Sequence, residues 1–95
     1  MILERVEIPL KAGQEGAFID VMNSQGCALL AKADGCNSAR IGRGVENPDK
    51  AILLLEWDSV DHHTAFTTTP EFDEFKKIAG PFFAGPTNME HFDLS

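Results

Sequence analysis

The chain has 95 residues, which is room for one domain spanning 1–95 and not for a second. Eight lysines and arginines against fifteen aspartates and glutamates leave a formal charge of −7. A phosphate backbone repels such a chain, and no basic cluster offers an exception, so nucleic acid is excluded as a partner. The longest apolar run, Ala51 to Leu55, falls far short of the ~20 residues that cross a bilayer. Met1-Ile2-Leu3-Glu4-Arg5 shows neither the basic stretch nor the apolar stretch of a secretory leader. The expectation is a cytoplasmic protein with no membrane partner.

Ile2 to Ile8 puts Ile2, Val6 and Ile8 on one parity and Leu3, Arg5 and Glu7 on the other, the alternation of a strand, closed by Pro9. From about Gln14 the period changes: Phe18, Val21, Met22, Gln25, Ala28 and Leu29 follow helical spacing. A helix of about five turns is expected to stop near Asp34-Gly35, with Gly35 in a left-handed position. Cys36 to Gly44 reads as a second strand, poor in large side chains, and Asn47-Pro48-Asp49-Lys50 as a turn. Ala51 to Trp57 is the strongest strand and should pair antiparallel with the second. Ser59 is a good N-cap for a helix beginning at Val60. Thr67-Thr68-Thr69-Pro70 interrupts that helix, because Pro70 pushes residue 69 out of the α region. A further helical segment starts at Pro70, carries Phe72, Phe75 and Ala79 on its apolar face, and stops at Gly80-Pro81. Phe82 to Pro86 is an apolar loop. Thr87 to Leu94 is a last strand, with Met89 and His91 on one face and Phe92 and Leu94 on the other.

The order β-α-β-β-α-β is that of the α+β, ferredoxin-like sandwich, an antiparallel sheet with both helices on one face. That arrangement leaves the second face of the sheet bare. Yet Ile52 to Leu55 is apolar at both parities, and strands apolar on both sides are buried on both sides. A second copy of the chain is the expected cover, making a homodimer through the sheet face.

Few residues carry chemistry. Gly42-Arg43-Gly44 lacks the third glycine and the strand-to-helix setting of a dinucleotide site. Cys27 and Cys36 form no CxxC and read as small buried thiols. No HxH or HxxxH occurs, and the neighbours His62 and His63 point about 100° apart on a helix, so no metal is expected. One of the two is expected to face the pocket, His62, four residues before Phe66, ahead of His63, three before it, and a histidine there can act as a base near neutral pH. Trp57 ends the central strand as a candidate pocket wall, and His91 alternates with Met89 on the last strand; with His62 they are the candidate catalytic residues. Arg40, Met22, Phe66, Phe75 and Phe82 are the candidate substrate contacts, Arg40 toward an anionic oxygen and the others as an apolar lining.

Glu56-Trp57-Asp58-Ser59-Val60-Asp61-His62-His63-Thr64-Ala65-Phe66, then Thr69-Pro70-Glu71-Phe72 and Met89-Glu90-His91-Phe92, resemble the antibiotic biosynthesis monooxygenase domain. The resemblance spans nearly the whole chain and implies a dimeric α+β barrel of two ferredoxin-like protomers. It further implies a monooxygenase that uses no metal, flavin or haem and acts on a small aromatic, polyphenolic or quinone-related substrate. An electron-rich phenolate can itself reduce oxygen, so the protein needs an apolar pocket and polar groups at the oxygens. Many relatives carry a histidine just before the Ser/Thr-Pro step, where this chain has Phe66. The haem-degrading branch of the fold uses an asparagine on the first strand, and residues 2–8 hold none. Two other activities fit the same barrel: an isomerase or lyase moving a proton beside a carbonyl, and a non-catalytic dimer that binds an apolar metabolite.

Overall fold

The computed structural model describes all residues from 1 to 95. Four strands, β1 (Ile2–Pro9), β2 (Cys36–Arg43), β3 (Lys50–Trp57) and β4 (Asn88–Asp93), form one antiparallel sheet in the order β2-β3-β1-β4. The chain's first strand is therefore central, paired on one side with β3 (Val6 opposite Leu53) and on the other with β4 (Glu4 opposite His91). All helices lie on one face, in the expected ferredoxin-like order. No helix is long and apolar enough to cross a membrane.

Strand alternation divides the sheet cleanly. Val6, Ile8, Ala51, Leu53, Leu55 and Trp57 point toward the helices and are buried with Leu10, Phe18, Met22, Leu30, Phe66, Phe75 and Ala79 in a single core. Leu3, Ile52, Leu54 and Phe92 lie on the opposite face beside the ion pairs Arg5–Glu90 and Lys50–Glu7, both at 2.6 Å. The Lys50 ammonium beside Glu7 holds that carboxyl below its usual range.

The first long helix is broken where the sequence suggests one continuous element. An α-helix, α1 (Glu15–Val21), passes through a π-helical turn, Met22–Gly26, into α2 (Cys27–Ala31). Gly26 permits this: a Cβ there would stand 2.5 Å from the sulfur of Met22, which is fully buried against it. The wide turn accommodates Met22 inside the core, and such bulges are local rather than propagated. The helix ends at Ala31, before the expected stop, and Gly35 takes φ +81° in the turn into β2.

α3 (Val60–Phe66) is capped by Ser59, whose Oγ accepts from the His62 backbone N–H at 3.1 Å. α4 (Pro70–Ala79) follows after the threonine run, with Thr69 accepting from the Phe72 N–H. The loop at Phe82–Pro86 is anchored rather than free. Phe82 and Phe83 pack on Phe18 at centroid distances of 5.6 and 6.1 Å, and backbone bonds join the segment to Pro9 and Lys11.

Candidate active site

A cavity of about 320 Å³ lies between the helix face of the sheet and α3–α4. Leu53, Leu55, Phe66, Phe72, Phe75 and Phe83 give it apolar walls, and Met89 on β4 lies at its edge. Its volume falls at the lower end of the range for small-molecule sites. Thr69 fixes the junction of the two helices: its hydroxyl donates to the Phe66 carbonyl at 2.7 Å while capping α4. That clamp sets Phe66 edge-on to Phe72 at 5.6 Å.

One end of the cavity is polar. Glu4 shares the inward row of β1 with Val6 and Ile8 and is only 6% exposed. Trp57 Nε1 donates to Glu4 Oε1 at 2.9 Å, and the indole is wholly buried. His63 lies over that indole, ring centroids 5.3 Å apart, with Nε2 at 3.4 Å from the same carboxylate oxygen. Its Nδ1 meets His91 Nε2 at 2.7 Å. A chain of hydrogen-bonding groups thus runs Trp57–Glu4–His63–His91, from β3 through β1 and α3 to β4.

Burial drives the electrostatics of this chain. It raises the Glu4 carboxyl above its usual range, against the opposing hydrogen bond from Trp57 and the charge of His91. Burial also lowers His63, and His91 lowers it further. Both groups are thereby biased toward their neutral forms. The two cysteines are half-buried and free, and burial pushes both thiols up, away from nucleophilic use.

Glu4 supplies a stability test. Its carboxyl has a higher pKa folded than unfolded, so ionisation opposes folding above the folded value. The penalty grows as pH rises above the ordinary value of 4.5 and disappears below it, where both states are protonated. Glu4→Gln keeps an acceptor for Trp57 and cannot ionise. The variant should melt several degrees higher than the wild type at pH 7.5, and the gap should close below pH 4.5 in a thermal-melt series on metal-free protein.

The structure brings Trp57, Phe66 and Phe75 to this cavity, sets His91 behind its wall against His63, and separates the other sequence candidates from it. His62 points away: its Nδ1 lies 2.7 Å from Ser59 Oγ, and its ring packs against Gly35 beside a second pocket of about 310 Å³. Serine capping fixes the phase of α3 so that the residue three before Phe66 faces the sheet, not the residue four before. Arg40, opposite Leu54, is exposed on the bare face of the sheet. Met22 is consumed by the core at the π turn, and Phe82 by its contact with Phe18, while the adjacent Phe83 lines the cavity. Glu4 is the polar residue that sequence reasoning missed, and His63 the one it ranked behind His62. Glu4, His63 and His91 are also the trio whose ligand atoms converge, all within 4.8 Å of one another. Spacing along the chain is silent on donors that the fold brings together from three elements.

Residues 1–78 match the family model described as antibiotic biosynthesis monooxygenase. The chain belongs to this family. Among solved structures, a protein from Bordetella bronchiseptica, provisionally named an antibiotic biosynthesis monooxygenase, is 29% identical and superposes with a TM-score of 0.90, covering 99% of this chain and 96% of that one. A similarly named protein from Nitrosomonas europaea shares the fold, with a TM-score of 0.81 at 14% identity over 98% and 97% of the two chains. The uncharacterized protein YczJ of Bacillus subtilis is 27% identical over 93 residues, 97% of either chain. Family membership supports monooxygenase-type chemistry in general. The family match ends before β4, so His91 lies outside the stretch that carries it.

Proposed function

We propose that this family member is a monooxygenase that oxidises a small, flat, electron-rich phenol to a quinone-type product, with the substrate as its own reductant. The observation that carries the reading is the buried Glu4–His63 pair at the polar end of an otherwise aromatic cavity. The phenol ring lies between Phe66, Phe72 and Phe75 with its hydroxyl toward the Glu4–His63 end, and the neutral His63 imidazole, held beside Glu4, takes the proton. His91, half-buried behind His63, carries the proton outward. The phenolate passes one electron to oxygen, the two radicals combine at an activated ring carbon, and the resulting hydroperoxide collapses to a carbonyl with release of water. In sum, a ring CH2 and O2 give C=O and H2O, and all four electrons come from the substrate. Water exclusion by the phenylalanine walls favours charge transfer over side reactions.

A clark-type electrode with anthrone and dihydroxynaphthalene probes tests the reading. The expected result is oxygen uptake equal to quinone formed, and none without the probe. Turnover that persists without oxygen would move the protein to the isomerase or lyase class. Saturable binding without uptake would make it a binding protein.

The same proposal includes a homodimer packed through the bare sheet face. Leu3 and Phe92, paired across β1 and β4, and Ile52 and Leu54 on β3 are the apolar residues of that face, and Phe92 is 43% exposed in the single chain. Arg5 and Glu7, salt-bridged to Glu90 and Lys50, stand among them, opposite Leu54 and Ile52. Leu54→Glu should convert a dimer to a monomer of native circular dichroism, measured by light scattering at micromolar concentration. A monomeric wild type would remove the dimer. Free thiols and an acidic surface suit a reducing compartment, the cytoplasm.

A further inference from the structure

We infer that Glu4, His63 and His91 form a binding site for a divalent first-row transition-metal ion, one that takes imidazole and carboxylate ligands together. The donors come from a central strand, a helix and an edge strand, and β1–β4 pairing sets Glu4 directly opposite His91. Two imidazoles and one carboxylate are the ligand set suited to zinc, cobalt, nickel and ferrous iron. Magnesium and calcium, which prefer all-oxygen shells, are disfavoured.

The three donors stand close together. His63 Nδ1 and His91 Nε2 face one another at 2.7 Å, sharing one ring proton between two nitrogens that each offer a lone pair when deprotonated. An ion would displace that proton, and the two nitrogens would part to about 3.3 Å, the spacing of ligands on a tetrahedral ion. Two ligands on one ion, at bonds of about 2.0–2.2 Å, can stand no farther apart than about 4.4 Å. The widest separation in the trio is within 4.8 Å, a difference that rotation of the Glu4 side chain, with three torsions, closes. His63 presents opposite nitrogens to its two partners, so loading trades its long 3.4 Å approach to Glu4 for a shared ion.

Two surrounding features fit a metal centre. Trp57 Nε1 holds one oxygen of the carboxylate, the kind of supporting hydrogen bond that orients a ligand and strengthens a site. Glu4 and His63 line the apolar cavity, with His91 against His63, so an ion held by these three donors would keep open positions toward a bound small molecule. The site does not depend on the monooxygenase reading, since ion binding is measured without any substrate. An ion held there would compete with the phenol proton for Glu4 and His63.

The test uses the full chain without an affinity tag, stripped with EDTA and titrated with Co(II) by visible absorption and calorimetry. One equivalent should bind per chain with micromolar or tighter affinity and a ligand-field spectrum showing nitrogen and oxygen donors. Glu4→Gln, His63→Gln and His91→Gln should each weaken binding about tenfold or more, while His62→Gln leaves it unchanged. Glu4→Gln is the informative variant because it should fold more stably while losing the ion. Absence of saturable binding overturns the inference. So does binding that survives the His63→Gln/His91→Gln double change, or a spectrum with thiolate charge-transfer bands from Cys27 or Cys36.

Discussion

His63→Gln should lower turnover by about two to four orders of magnitude, the range removed with a positioned acid–base group, while substrate affinity changes little. The imidazole stands between Glu4, 3.4 Å from its Nε2, and His91, 2.7 Å from its Nδ1. Glutamine fills similar space over Trp57 but cannot accept a proton at one end and release it at the other. The loss should fall on kcat, since the aromatic walls that bind substrate are untouched. His62→Gln, one position away, should leave kcat within about twofold, because that ring serves the Ser59 cap and the Gly35 turn. Equal losses in the two variants would remove the Glu4–His63 pair from the mechanism. Rapid-quench or steady-state assay of both proteins decides it.

The largest stability effect should come from Gly35→Ala. Gly35 holds φ +81°, where a Cβ costs about 1–2 kcal/mol. The same Cβ would collide with the ring of His62, and overpacking of this kind costs about 1–3 kcal/mol more. The turn cannot easily give way, because the Gly35 carbonyl accepts from the Asp58 N–H at 2.8 Å and ties β2 to the end of β3. For a domain of this size each kcal/mol shifts the melting temperature by about 4–8 °C, so the variant should melt about 8 °C or more below the wild type. Gly13 is the internal control: its φ is +82°, with nothing within 4 Å of a Cβ. Gly13→Ala should therefore show the backbone cost alone, and His62→Ala should recover part of the Gly35→Ala loss. Identical melts for the two glycine variants would mean that the His62 ring yields without cost.

Much of the fold was legible because it rests on periodicity and punctuation. The alternation of β3, the Ser59 cap, and the Pro70 restart each have a local physical cause, and strand order follows from the element sequence. The π turn was not legible. Its cause is a close approach of Met22 to Gly26, which helical spacing does not encode. Nor was the inward or outward sense of β2, whose small side chains give no clear alternation, so Arg40 was free to be assigned to either face. The His62–His63 choice turned on a phase difference of about 100°, smaller than the error in locating a helix start. Glu4 did leave a signal: it sits on the same parity as Val6 and Ile8, in a row that is otherwise apolar. A carboxylate on the inward row of a central strand must be hydrogen-bonded or functional, and here Trp57, 53 positions later, supplies the bond.

The placement of β1 between β3 and β4 has a consequence for synthesis. During synthesis β1 finds one neighbour at residues 50–57 and the other only at residues 88–93. Until residues 88–93 emerge, β1 is an open edge in a three-stranded sheet, with unpaired backbone groups able to recruit another nascent chain. An inward-pointing charge on an edge strand discourages such pairing, and Glu4 is one. The residue that ends as the buried carboxylate of the site thus begins as a guard on an unfinished edge, relieved when His91 arrives opposite it.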